Sequence, residues 1–224
     1  MGSTIQLINP DGFEFGAYVA RPEGAPKGAV VVIQEIFGVN KHIREVADGY
    51  AAAGFYTVAP QIFDRIEPGI ELTYTDTDVG RGVELAFQKL DMATTLGDLQ
   101  TTIEHAGEHG RVGVVGYCFG GLLTWLSACD LKGVAAASAY YGGGIVGQMN
   151  KSPNCPVIMH FGDADAHIPL TDVELIRTAQ VGSTVHVYAA DHGFNCDHRA
   201  SFNAPASELA RTRTLAHFAT YLEG

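Results

Sequence analysis

The sequence is short of positive charge: fourteen Lys and Arg stand against twenty-five Asp and Glu, a formal net charge of −11. That balance argues against a nucleic-acid or anionic-membrane partner, although one arginine can still serve a local pocket. No apolar run approaches membrane-spanning length. The opening Met1-Gly2-Ser3-Thr4-Ile5-Gln6 has neither a basic run nor an apolar stretch, so no secretory signal is expected and the expected location is cytoplasmic. Cysteine is sparse and irregularly spaced (Cys118, Cys129, Cys155, Cys196), with no C-x-x-C. A disulfide framework is thereby disfavoured, and the four read as reduced thiols. Internal repeats and low-complexity tracts are also lacking.

What is present is enough apolar material for a large core, 46% of 224 residues, which excludes a disordered chain and fits a single α/β domain over 1–224. Two strands are expected at residues 5–9 and 13–20, around the turn Asn9-Pro10-Asp11-Gly12. Residues 29–34 form a continuous β-branched run of the kind buried on both faces. Asn40 is placed to cap a helix carrying Ile43, Val46, Ala47, Tyr50 and Ala51, which Gly54 ends. Further strands are expected at 55–59, 133–141, 155–161 and 185–188. One helix carries Met92, Leu96, Leu99, Ile103 and Ala106, and a closing helix shows Leu209, Leu215, Ala216, Ala219 and Leu222 on one side. Residues 61–78 read as an excursion over the sheet that covers the site, and the path of 66–90 stays open. Strands alternating with helices imply a mostly parallel central sheet with helices on both faces and ligands at the carboxyl ends of the strands.

The chemistry centres on Gly116-Tyr117-Cys118-Phe119-Gly120-Gly121. An apolar strand from Arg111 runs into a sharp corner and then a helix, so Gly116-x-Cys118-x-Gly120 has the nucleophile-elbow pattern with cysteine in place of serine. Glycines allow the close approach that such a corner needs, and the helix N-terminus behind the sulfur favours the thiolate. A cysteine nucleophile needs a base, and the base an orienting acid. Gly162-Asp163-Ala164-Asp165-Ala166-His167-Ile168-Pro169 supplies a carboxylate at a strand end. Asp165 is preferred, since Asp163 stands directly after the glycine and suits the turn itself. Asp191-His192-Gly193-Phe194 supplies the base, His192. The order nucleophile, acid, histidine is that of α/β-hydrolases.

The remaining histidines read otherwise. His42, His105, His109 and His217 are expected on solvated helix faces, His160 and His186 in packing, and His167 beside the site. His192, Cys196 and His198 share a short stretch with Asp197, but no second cluster completes a tetrahedral set, so no metal and no cofactor are expected. Cys129 and Cys155 read as core residues, and Tyr140-Tyr141-Gly142-Gly143-Gly144 as a strand-end turn beside the pocket.

With Cys118, Asp165 and His192 in hand, the chain resembles the dienelactone hydrolase (carboxymethylenebutenolidase) family of α/β-hydrolases, from Val30 to the final helix. The resemblance rests on Gln34-Glu35-Ile36-Phe37-Gly38-Val39-Asn40, the Cys118 elbow, Tyr140-Tyr141-Gly142, Asp165 with Pro169, and His192-Gly193-Phe194. It implies an α/β-hydrolase fold and a cytoplasmic enzyme of aromatic-compound degradation that opens a dienelactone to maleylacetate through an acyl-enzyme. It also implies that Glu35 manages the thiol proton and that the backbone N–H groups of Ile36 and Phe119 hold the oxyanion. Arg65 matches one of the family's carboxylate-gripping arginines. The second falls on Cys196, which leaves Arg199 or Arg81 to substitute. Phe37, Tyr140 and Tyr141 are expected in the pocket wall. The implied partner is a small, anionic substrate, with the chain a monomer or weak homo-oligomer. Another small ester or lactone is the alternative substrate. From other classes, a thiol redox sensor would need a resolving cysteine near Cys118, and none is close in sequence; a binding protein on a decayed scaffold would have lost part of this set.

Overall fold

The β-branched run Ala29–Ile33 (β3) is wholly buried and lies at the centre of an eight-stranded sheet. The computed structural model describes residues 2–223. Its other strands are β1 (Ser3–Ile8), β2 (Glu14–Ala20), β4 (Tyr56–Pro60), β5 (Val112–Tyr117), β6 (Val134–Tyr140), β7 (Val157–Gly162) and β8 (Thr184–Tyr188), in the order β1-β2-β4-β3-β5-β6-β7-β8. Strands β4, β3, β5, β6, β7 and β8 are mutually parallel, and β2 alone runs antiparallel to its neighbours, β1 and β4. The helices are α1 (Lys41–Ala52), α2 (Asp76–Glu84) continued by a π-helical turn (Leu85–Lys89), α3 (Met92–Gly107), α4 (Phe119–Asp130), α5 (Leu170–Ala179) and α6 (Ala204–Leu222).

Helices cover both faces, and two glycines of one strand show why. Side chains alternate across a strand. A Cβ on Gly113 would strike Phe218 and Leu222 of α6, whereas one on Gly116, three residues on, would strike Gly120 and Thr124 of α4. The α6 and α4 layers therefore press on opposite sides of β5, each closely enough to need a missing side chain. The expected caps also form: the Asn40 side chain accepts from the Ile43 N–H, and Asp91 caps α3 in the same way.

Two expectations are corrected. The buried face of α6 is Ala206, Ala210, Thr214, Phe218 and Leu222, while Leu209 is exposed. The cause is spacing: these five recur every four residues along one helix face, four of them apolar, and Thr214 among them satisfies its hydroxyl in a network with Ser138, Tyr140 and His160. His42 of α1 is buried, not solvated. The open stretch 66–90 resolves into turns, α2 and the π-helical turn, and the latter two cross the carboxyl end of the sheet.

His160, wholly buried in β7, is held between Tyr188 Oη (2.7 Å) and Thr214 Oγ1 (3.1 Å). Burial, with the nearby His186 and Arg213, holds its pKa well below the ordinary value. Burial likewise lowers His42, His105, His186 and His217. The unfolded chain takes up protons at these rings near pH about 6.5, and the folded chain resists. Their contribution to stability is complete above that pH and is lost as pH falls through it; His192, raised instead, acts oppositely as pH climbs. The melting temperature is therefore expected to drop between pH 7 and pH 5, and a flat or rising profile in scanning calorimetry would contradict this balance.

Candidate active site

The loops after β3, β5, β7 and β8 deliver Glu35, Cys118, Asp165 and His192 to the carboxyl edge of the parallel sheet. Cys118 sits between β5 and α4 with φ 55° and ψ −115°, one of two non-glycine residues with positive φ among those described. Such a conformation costs about 1–3 kcal/mol and persists only when its surroundings over-determine it. Here they do. The Cys118 N–H donates to Tyr140 O at 3.0 Å, and Cys118 O accepts from Gly121 N at 2.9 Å. A Cβ on Gly116 would lie 2.1 Å from Gly120 O, and one on Gly120 2.4 Å from both Ile33 O and Gln34 O. The elbow is thus clamped between β3 and the first turn of α4.

A chain of contacts leads away from the sulfur. His192 Nε2 lies 3.1 Å from Cys118 Sγ, and its Nδ1 lies 2.7 Å from Asp165 Oδ2. The other oxygen of Asp165 accepts from the N–H groups of His167 (2.8 Å) and Ile168 (3.2 Å), which fixes the carboxylate in place. Asp163 instead accepts from the Ala190 N–H at 3.2 Å and ties the two loops together. Burial opposes charge on His192, but hydrogen bonds to Asp165 and Cys118 and their negative charges outweigh it, raising its pKa. The site therefore favours imidazolium beside the sulfur.

Glu35 is 1% exposed, and neither carboxylate oxygen has a hydrogen-bond partner among the described residues. Its nearby cation is Arg199, with Nη1 3.6 Å from Oε1, a separation that gives attraction without a hydrogen bond. The Arg199 guanidinium also faces the rings of Phe37 and Tyr74, each at 5.8 Å. Tyr141, the second residue with positive φ, is wholly buried beside His192, with ring centroids 5.1 Å apart. Burial, together with the negative charge of Glu35, pushes its hydroxyl pKa well up, so the phenol stays neutral.

Cys118 and His192 open onto a cavity of about 340 Å³ whose wall includes Ile36, Phe37, Phe119, Leu122, Gly143, Gly144, His167 and Arg199. Its far wall is Val79, Val83 and Phe87. The sequence reading missed these three, although their four-residue spacing is that of one helix face. The cavity is apolar, with a few polar groups converging at one end, the usual make-up of a small-molecule site.

Several expected substrate contacts lie elsewhere. Arg65 bonds Asp98 through Nε (2.6 Å) and Nη2 (2.8 Å), pairs with Asp11 at 2.8 Å and stacks on Phe13, so its Nε and Nη2 are engaged by α3 and the β1–β2 turn, and it does not line the cavity. Arg81 pairs with Glu67 and Glu84 on the outer side of α2. Tyr140 points into the sheet, its hydroxyl on Thr214 at 2.8 Å. Cys196 is buried and donates to Tyr74 Oη at 3.3 Å. Arg199 alone of the three arginines lines the cavity.

An eight-stranded, mostly parallel sheet with a strained elbow at a strand end and an acid–histidine pair on later loops defines an α/β-hydrolase. The family model of the dienelactone hydrolase family matches residues 15–222, and the chain belongs to that family, whose members are hydrolases of ester and lactone bonds. The carboxymethylenebutenolidase of Pseudomonas putida is 36% identical, the alignment covering 94% of this chain and 93% of that protein. A crystal structure from Klebsiella pneumoniae is 31% identical, covers 99% of this chain and 100% of its own, and superposes with a TM-score of 0.87. The dienelactone hydrolase of Anabaena variabilis shares the fold at 15% identity, with a TM-score of 0.71 over 99% of this chain and 98% of its own.

The clamp on the elbow is testable by adding single methyl groups. Gly120→Ala forces its new Cβ onto two rigid carbonyls and is expected to cost about 1–3 kcal/mol. Gly80→Ala, in α2 with nothing within 4 Å of the added atom, is expected to be neutral or stabilising by about 0.5–1 kcal/mol. Urea denaturation of both variants checks the contrast.

Proposed function

We propose that this chain hydrolyses small lactones or enol esters by acyl transfer to Cys118. The observation that supports this reading is the continuous contact Asp165–His192–Cys118 at 2.7 and 3.1 Å, opening onto an apolar cavity. The Cys118 thiolate attacks the carbonyl carbon and forms a C–S bond, and the carbonyl π electrons move to oxygen. The backbone N–H groups of Ile36 and Phe119 hold that oxyanion. On collapse the ring C–O bond breaks, and the enolate oxygen leaves with a proton from the His192 imidazolium. Neutral His192 then takes a proton from water as it attacks the thioester, the C–S bond breaks, and the thiolate is restored. Asp165 holds the imidazole in the tautomer both steps need. A thiolate leaves readily, so activated lactones and enol esters suit it better than amides.

Glu35 and Arg199 supply the coupling to substrate. A substrate carboxylate at Arg199 competes with the loosely paired Glu35, so an anionic substrate draws the guanidinium off that carboxylate. With Arg65 and Arg81 both held in ion pairs outside the cavity, Arg199 is the proposed anchor, and the body of the substrate packs on Val79, Val83 and Phe87. The proposed substrate is therefore a compact unsaturated lactone with one carboxylate and an apolar remainder.

Cys118→Ala is expected to lower turnover of an activated ester by at least about 10,000-fold while far-UV circular dichroism stays unchanged; retained turnover would remove the cysteine from the reaction. Arg199→Ala is expected to raise KM for an anionic lactone about 10–100-fold, the value of a charge-assisted hydrogen bond, with a much smaller change for a neutral ester. Equal changes for both substrates would mean that Arg199 acts only on Glu35.

A further inference from the structure

A second cluster of ligand-type side chains forms where α1 meets the loop following His192, and none of its members lines the cavity above. His42 Nδ1 lies 3.3 Å from Asp197 Oδ1, and His198 Nε2 lies 3.7 Å from the same oxygen. These three ligand atoms all fall within 4.8 Å of one another. Glu45, one turn along α1 from His42, brings Oε2 to 2.7 Å from His198 Nε2. The two imidazoles are tilted by 58° at a centroid separation of 5.6 Å, not stacked, so their edges can be aimed at a common point.

We propose that His42, Asp197 and His198, with Glu45 as the fourth ligand, bind one divalent transition-metal ion of the zinc class. A tetrahedral ion held at about 2.0–2.1 Å needs its ligand atoms roughly 3.3 Å apart, close to the 3.3 and 3.7 Å that separate Asp197 from the two imidazoles; Glu45 closes the set by rotation of an exposed side chain. Two imidazoles with carboxylates select zinc, cobalt or nickel over magnesium or calcium, which prefer all-oxygen shells. The nitrogen ligands cannot be paired from local spacing, since His42 and Asp197 are 155 residues apart and meet only in the fold.

The consequence is mechanical. Asp197 and His198 lie between His192 and Arg199 on one loop, so an ion there fastens to α1 the segment that carries both the base and the substrate arginine. The metal takes no part in the proposed acyl transfer.

The test uses the full chain, stripped with EDTA and titrated with zinc chloride. Calorimetry is expected to show one equivalent bound, and the melting temperature to rise by about 5–10 °C at zinc a hundredfold above Kd. His198→Gln and Asp197→Asn, both outside the cavity, are each expected to weaken binding at least about tenfold and to abolish the rise at the same zinc concentration. Cobalt substitution reports the ligands: d–d bands without a thiolate-to-cobalt charge-transfer band are expected. No uptake, affinity unchanged in both variants, or a thiolate band indicating capture by a cysteine would each overturn the site. Because Cys118 contributes nothing to this cluster, failure here leaves the proposed hydrolysis untouched, and the reverse also holds.

Discussion

The structure turns on one close approach, in which β3, β5 and the first turn of α4 are packed backbone against backbone. Ile33 O and Gln34 O stand 2.4 Å from where a Cβ of Gly120 would be, and Gly120 O stands 2.1 Å from where one of Gly116 would be. No side chain fits in that seam. The absence of two methyl groups lets the helix begin directly behind the sulfur, and the crowding around them holds Cys118 at φ 55°. The strain is local, but it is supported by the most deeply buried strands of the sheet, whose burial supplies far more free energy than the elbow consumes.

Once that corner is set, the rest of the site follows from parallel topology. Strands β3, β5, β7 and β8 all end on the same edge, so their loops converge without further design. Asp165 is fixed by two main-chain N–H groups before it meets His192, which leaves the imidazole one well-defined acceptor on Nδ1 and the sulfur on Nε2. The raised His192 pKa is the electrostatic outcome: burial alone would keep the ring neutral, and the contacts with Asp165 and Cys118 reverse that preference.

Glu35 is the opposite kind of group. It is a buried carboxylate whose oxygens lack hydrogen bonds, faced by an arginine just beyond bonding range. Burying such a group without partners is costly, and stability alone gives no reason to keep it. A carboxylate held this loosely is, by contrast, free to change partners when a charged ligand arrives. With Arg65 turned to Asp98 and Arg81 held by Glu67 and Glu84, Arg199 alone of the three arginines lines the cavity and faces Glu35.

Much of this was legible in the residues. The Gly116-Cys118-Gly120 pattern, the nucleophile–acid–histidine order, the preference for Asp165 over Asp163, and most strands depend on local rules, since tight corners need glycine, turns need short polar side chains, and doubly covered strands need β-branched runs. What the chain alone did not reveal depends on partners distant in sequence. Arg65 looks available until Asp98 and Asp11 are seen around it, Tyr140 looks like a pocket wall until Thr214 takes its hydroxyl, and α6 buries a face that includes this same polar threonine. The apolar far wall and the His42–Asp197–His198 cluster likewise exist only after α2 and α1 have docked. Local conformation is encoded within a few residues by sterics and hydrogen bonding, whereas the direction a long polar side chain takes is decided by whichever charge the fold brings within about 3 Å of it.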